Sequence, residues 1–227
     1  MAQRSARVAT ALMLLLAAVP AQAHYLWVDP TAAAPVIRFG EFEEGVIERS
    51  PGRLDDMAGT RVSIGGAPAR TSLAADHLAL VGSAAGPGVT AENLGVPVKD
   101  WRSSGLGIVK PLYYARWGAG GPAMTLDILP ADPTSARVQF AGRPLARAKV
   151  LVHAPNGWTR EESADAQGLV RFSAPWRGLY VLEVIHAEET PGAEGGITFE
   201  RKRHRATLAI ARSAGEPTFA AAVHDHD

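Results

Sequence analysis

From residue 25 onward the chain is written in short apolar runs cut by glycine and proline: "YLWV", "APVIRF", "TRVSI", "HLALV", "PLYYARW" and "MTLDIL". Side chains alternate between the two sides of a strand, whereas on a helix they return to one side every three or four residues. After residue 23 the helical period is nearly absent, and turn residues separate the runs as they do in sandwiches and barrels. The expected fold class is therefore all-β, with two sandwich-like halves. The chain has no cysteine. Neither half can be stapled by a disulfide, and no thiolate can act as metal ligand or nucleophile.

The first 23 residues read differently. "MAQRSAR" carries two arginines and no acid, "VATALMLLLAAV" is an apolar run, and Pro20 precedes the small-residue sequence "AQA". This is the pattern of a secretory signal peptide cleaved after Ala23. The apolar run is shorter than the roughly 20 residues that span a bilayer. The processed chain is expected to be exported to the periplasm and to begin at His24, with 204 of the 227 residues. The whole chain balances 23 bases against 23 acids, so loss of Arg4 and Arg7 leaves an excess of two acids. That balance argues against nucleic acid or an anionic membrane surface as partner.

Along the chain, "ILPADPTS" (128–135) holds two prolines in a polar setting and reads as a linker. It divides an N-terminal β domain (24–130) from a second sandwich (134–212), followed by a tail (213–227) ending "HDHD". "GSAAGPG" and "GAGGP" read as loop tips. The second unit contains "GRPLARAKV" (142–150), "DAQG" (165–168) and "GLYVL" (178–182). These resemble the entry strand, turn and aromatic strand of the transthyretin-like, or carboxypeptidase-regulatory-like, β-sandwich, although "GLYVL" is one residue tighter. Such motifs are structural and carry no activity by themselves.

A narrower resemblance covers nearly the full length. "AHYLWVDP" (23–30), "KPLYYARW" (110–117) and the stretch from "VIHAEE" to "ATLAI" (184–210) resemble a family of periplasmic proteins with a domain of unknown function. Its members are described as components of nickel or cobalt uptake systems. The resemblance implies a non-catalytic metal-binding protein that serves an inner-membrane uptake transporter, with nickel or cobalt as cargo. The tract between residues 40 and 105 carries no matching motif.

The residues themselves supply a metal chemistry. A histidine that opens a chain offers its α-amine and its imidazole together, and both can be neutral near pH 7–8. Two nitrogens from one residue close a chelate ring on Cu(II) or Ni(II), which favour nitrogen-rich tetragonal sites. His24 is therefore the first candidate ligand, and copper competes with nickel and cobalt. His186 and His204 flank a glycine-rich stretch and face each other if the hairpin centres near Gly195. Opposed side chains in a sheet have Cβ atoms about 4.5–5.5 Å apart, close enough to share an ion. Glu188 follows His186 as an oxygen donor. His77 and His153 have no spacing partner, and "HDHD" is a compositional hint of loose metal capture. Without metal, "HYLWVDP" reads as an edge strand in which Tyr25 and Trp27 pack.

Other chemistry finds little support. "WRSSGLG" lacks a nucleophile elbow, and the acidic stretches "EFEEG" and "LDD" read as solvated turns. The sequence contains no phosphate-binding loop, dinucleotide fingerprint, "HExxH" or EF-hand loop. Two rivals stay open: a copper histidine-brace enzyme acting on polysaccharide, and a metal-free envelope interaction module.

Overall fold

The computed structural model describes residues 24–81, 88–120 and 123–218. The expected leader and the "HDHD" tail lie outside these residues, as do most of "GSAAGPG" and part of "GAGGP". The first nine strands are β1 (Tyr25–Asp29), β2 (Val36–Glu41), β3 (Val46–Ile47), β4 (Arg61–Ile64), β5 (Ala67–Leu73), β6 (Leu78–Val81), β7 (Val89–Asn93), β8 (Lys99–Trp101) and β9 (Gly107–Trp117). Next come β10 (Leu126–Asp132), β11 (Ser135–Phe140), β12 (Arg143–Pro144), β13 (Lys149–His153), β14 (Thr159–Ser163) and β15 (Leu169–Arg171). The last are β16 (Gly178–Glu188), β17 (Gly192–Glu194), β18 (Ile197–Phe199) and β19 (Arg201–Arg212). Two short 3-10 segments, Arg53–Met57 and Arg102–Ser104, complete the regular structure of the described residues. The all-β expectation holds.

A thirteen-stranded sheet runs in the order β1-β2-β6-β5-β4-β7-β9-β19-β16-β13-β14, with β3 on β2 and β8 on β9. The parallel pair β9–β19 joins the N-terminal strands to the C-terminal ones without a break. Strands from both 24–130 and 134–212 therefore share one sheet. Parallel pairing requires a long crossover and favours strands covered on both faces. Accordingly, residues 109–116 of β9 and 204–209 of β19 are all buried.

The two faces of this sheet are read by residue parity. Leu112, Tyr114, Tyr180, Leu182, Val184, Ala206 and Leu208 point to one side, where they meet Leu126, Ile128, Ala136 and Val138 of β10 and β11. This second, four-stranded sheet (β10-β11-β12, with β15 on β11) closes a two-layer sandwich. Each fully buried Leu, Val or Ile there contributes about 1.5–3 kcal/mol. Odd-numbered residues point the other way, and the curl of the sheet brings β1 back across them. Tyr25 and Trp27 pack on Leu179, Val181 and Ala209. Leu26 and Val28 turn toward Ile37, Leu54, Met57, Tyr113 and Ala115. Because β1 is buried on both sides, "YLWV" is continuously apolar rather than alternating.

One expectation is corrected. Residues 128–135 are not a linker but the centre of the β10–β11 hairpin, with Ile128 opposite Val138 and Pro130 opposite Ala136. Pro130 borders the point where the ladder shifts register, and Pro133 stands in the two-residue turn between the paired Asp132 and Ser135, both places where a hairpin tolerates proline. At the far end, Gly195 and Gly196 both have positive φ, 59° and 80°, as a two-residue hairpin turn of the primed type demands. The ladder slips by one residue between β17–β18 and β16–β19, and His186 comes to lie directly opposite His204.

Candidate functional site

His24 immediately precedes β1. Pairing of Tyr25 with Gly40 places it across from Glu41 at the end of β2. Gly40 has φ +149°, and a Cβ there would meet the carbonyl oxygen of Val46 at 2.1 Å. Only glycine lets β3 approach this closely, and that approach carries Glu48 to the other side of the His24 ring. Glu41 Oε1 lies 3.1 Å from Nδ1, and Glu48 Oε1 lies 2.5 Å from Nε2. The His24 side chain is 15% exposed. Its Nε2 also has Arg53 Nη1 at 3.4 Å, whereas Nδ1 is buried and makes no hydrogen bond of acceptable geometry. The two carboxylates address opposite nitrogens of one ring, so a single ion bound to the imidazole can take only one of them.

The backbone of the same segment is held from below. Arg205 Nη1 donates to the His24 carbonyl (3.0 Å) and Thr207 Oγ1 donates to the Leu26 carbonyl (2.7 Å). Arg205 also donates through Nε to Glu183 Oε1 (2.5 Å), and the other Glu183 oxygen lies 3.0 Å from His153 Nε2. Glu183 and His153 are each 1% exposed. Burial alone would raise the Glu183 carboxyl, but the His153 hydrogen bond and the Arg205 charge and hydrogen bond outweigh it and hold it below the usual carboxylate range. The Tyr25 ring stacks on His153, with centroids 5.7 Å apart, beneath the Arg205 guanidinium. Its hydroxyl donates to Glu43, and burial followed by Glu43 pushes that hydroxyl far up. An ionic cluster in a dry place is costly to break when one partner is removed. This one is spent on fixing the first described residues.

His186 and His204 stand opposite one another with ring centroids 6.3 Å apart. His204 is buried and both of its nitrogens are engaged: Nδ1 with the Tyr114 hydroxyl and Nε2 with Glu188 Oε2, each at 3.0 Å. Its ring stacks parallel to Tyr114. Glu188 Oε1 accepts from Lys202 Nζ (3.0 Å). His186 lies against Phe140, centroids 4.3 Å apart, at the sandwich rim. Burial lowers both histidines, and Glu188 works against that shift at each, by charge at His186 and by hydrogen bond and charge at His204.

The four expected ligands do not converge. His204 and His186 belong to the even face of the sheet, whereas Arg205, the next residue, reaches His24 on the odd face. His24 stands on one side of the sheet and His186, Glu188 and His204 on the other. His77 pairs with Asp76 (2.6 Å), and His153 is consumed by the buried network. Among the described residues no three His, Cys, Asp or Glu side chains form a group that could hold a metal ion. Sequence reading missed Glu41, Glu48, Glu183 and Arg205. Glu41 and Glu43 stood in view within "EFEEG", but their partners are set by long-range strand register.

Comparison of the chain with protein-family models, with curated proteins and with solved structures gives no match in any of the three. Among the described residues, no helix is long and apolar enough to cross a membrane.

Proposed function

We propose that the exported chain, processed to begin at His24, binds one divalent transition-metal ion through the His24 α-amine, His24 Nδ1 and the Glu41 carboxylate. It would capture the ion in the periplasm and pass it to an inner-membrane uptake transporter. The observation that carries this reading is the unbonded, buried Nδ1 of His24 facing a carboxylate oxygen at 3.1 Å, on a residue whose carbonyl is clamped by Arg205. Side chains alone supply only two donors at this point. The free amine created by cleavage is the third, and it closes a chelate ring with Nδ1. Two nitrogens and an oxygen suit nickel, cobalt and copper better than calcium or magnesium, which prefer all-oxygen shells. Glu48 and Arg53 orient the ring from Nε2, the role that partners of a liganding histidine usually fill. His186, Glu188 and His204 stay outside this centre. The nickel or cobalt cargo and the transporter rest on the family resemblance.

Calorimetric titration of the processed chain with Ni(II) tests the reading. One ion per chain is expected, with binding lost in His24→Ala and unchanged in His186→Ala. Equal binding by wild type and His24→Ala would overturn it.

A further inference from the structure

β14 ends the thirteen-stranded sheet. Its Arg160 stands opposite Val152, so the even-numbered residues of β14 look toward the sandwich core and away from His24. Between β14 and the segment that follows β15 there is a groove. One end is a notch of about 100 Å³ between Trp158 and Trp176, backed by Val152, Ala154, Pro175 and Tyr180. The notch adjoins an open trough of about 520 Å³, with Arg160, Ser173 and Pro175 lining both.

Trp158 is 68% exposed, the most of any large hydrophobic side chain among the described residues. Its backbone is nonetheless tied down in the β13–β14 turn. The Ala154 N–H donates to the Trp158 carbonyl (2.7 Å), and the Trp158 N–H donates to Asn156 Oδ1 (3.2 Å). Trp176 meets its ring edge to face, with centroids 5.6 Å apart at 80°, and is itself anchored by its backbone N–H to the Tyr180 hydroxyl (2.9 Å). An aromatic face held this way in water costs little entropy to cover.

The charges narrow the choice of occupant. Arg160 Nε lies 2.8 Å from Glu162 Oε1, and the Arg171 charge acts on Asp132. The trough therefore has paired charges and the Ser173 hydroxyl, with no spare charge to attract an ion. Arg160, Glu161 and Glu162 also blunt the strand edge, since charged side chains there disfavour the addition of another strand. What fits is an uncharged molecule with an apolar face and a polar rim. A pyranose ring has both: its C–H face stacks on the negative face of an indole, and its hydroxyls meet the donors and acceptors of the trough. The notch has roughly three water molecules' share of liquid volume, the size of an acetamido group.

We propose that this groove binds a glycan of N-acetylated amino sugars, with one ring stacked on Trp158, its acetamido group in the notch and its neighbours along the trough. Such a site tethers an exported chain to a polysaccharide. It stands on a different observation from the metal reading and does not depend on it.

Calorimetric titration of the processed chain with chitohexaose tests it, with Trp fluorescence as a second readout. Binding is expected without metal, and equally in His24→Ala. Trp158→Ala should weaken it at least about fivefold, the low end of what one stacking ring is worth to a bound base. The urea midpoint should stay unchanged, because the side chain is exposed. Trp158→Phe should keep most of the affinity. Cellohexaose, which lacks the acetamido groups, should bind about tenfold more weakly, as expected when a pocket loses the group that fills it. Equal binding of the two glycans, or chitohexaose binding that survives Trp158→Ala, overturns the proposal. So does a failure to bind chitohexaose; Trp158-dependent capture of a decaproline peptide, or Trp158-dependent pairing of two copies in sedimentation, would then name the occupant instead.

Discussion

His24 and His204 are both flanked by carboxylates on the same curled sheet, yet they are opposite kinds of site. His204 is sealed: Tyr114 and Glu188 occupy its two nitrogens and Phe140 packs edge-on against its ring. His24 is poised. One nitrogen is oriented by Glu48, the other is buried without a bond, and its carbonyl is clamped by Arg205. The difference teaches that two histidines can face each other across a ladder while one of them has both nitrogens engaged, whereas a histidine with no histidine partner keeps Nδ1 without a hydrogen bond. A second contrast supports the first. The buried Arg116–Asp127 pair on the sandwich side is tied to Gly120 and Met124 of its own neighbourhood. The Arg205–Glu183 pair on the other side extends to His24.

The largest effect expected from breaking this comparison is on stability. Asp127→Ala and Glu183→Ala each strand a buried arginine and should cost about 3–5 kcal/mol in urea unfolding. Only Glu183→Ala should also weaken Ni(II) binding, because only that pair positions His24. Equal metal affinity in the two variants would break the contrast. Next in size, Glu41→Gln is expected to lower Ni(II) affinity at least as much as the roughly 10–100-fold seen on removing an outer partner of a ligand. His204→Gln should leave it within about twofold and show its effect in stability instead.

A smaller effect follows from pH. Burial holds His186 and His204 below their ordinary value of 6.5, so the folded chain keeps them neutral where the unfolded chain takes up protons. Their contribution to stability is complete above pH 6.5 and is lost as pH falls below it toward the folded values. Glu183 and Glu188 are held below their ordinary 4.5, so their contributions are complete above 4.5 and are lost on further acidification. Urea midpoints between pH 8 and 5 should therefore fall less steeply in His204→Gln than in wild type, and identical slopes would contradict the sealed state of His204. Smallest of all, Lys149→Ala removes an exposed pair with Glu161, both side chains more than half exposed. It should change stability by less than about 1 kcal/mol.

Much of the fold is legible in the sequence because strands write their period directly. "LYVLEVIH" and "HRATLAIA" announce β16 and β19 and the glycines between them mark the hairpin, but a one-residue slip in the ladder, not the turn itself, opposes His186 to His204. Residues 128–135 misread because two prolines signal a break, whereas a register shift beside Pro130 and a turn holding Pro133 absorb them within a hairpin. The parallel pairing of β9 with β19 could not be read, since about ninety residues separate them and no local signal specifies a partner. The candidate site follows the same division. His24 stands out by its position after "AQA". Glu41 and Glu48 do not, since their place beside the ring depends on β1–β2 register and on the room Gly40 leaves for β3. That His204 faces away from His24 depends on which side of the sheet β1 crosses, a property of the curled whole.

The most direct test of the central claim compares two chains, one beginning at His24 and one carrying a single extra alanine before it, each titrated with Ni(II) and Cu(II). The extra residue converts the amine into an amide and leaves Nδ1, Glu41 and the fold in place. The account predicts tight one-to-one binding by the first chain and affinity lower by at least about 100-fold in the second, the loss of a ligand exceeding that of an outer partner. Equal binding by both chains would place the site away from His24 and contradict the account.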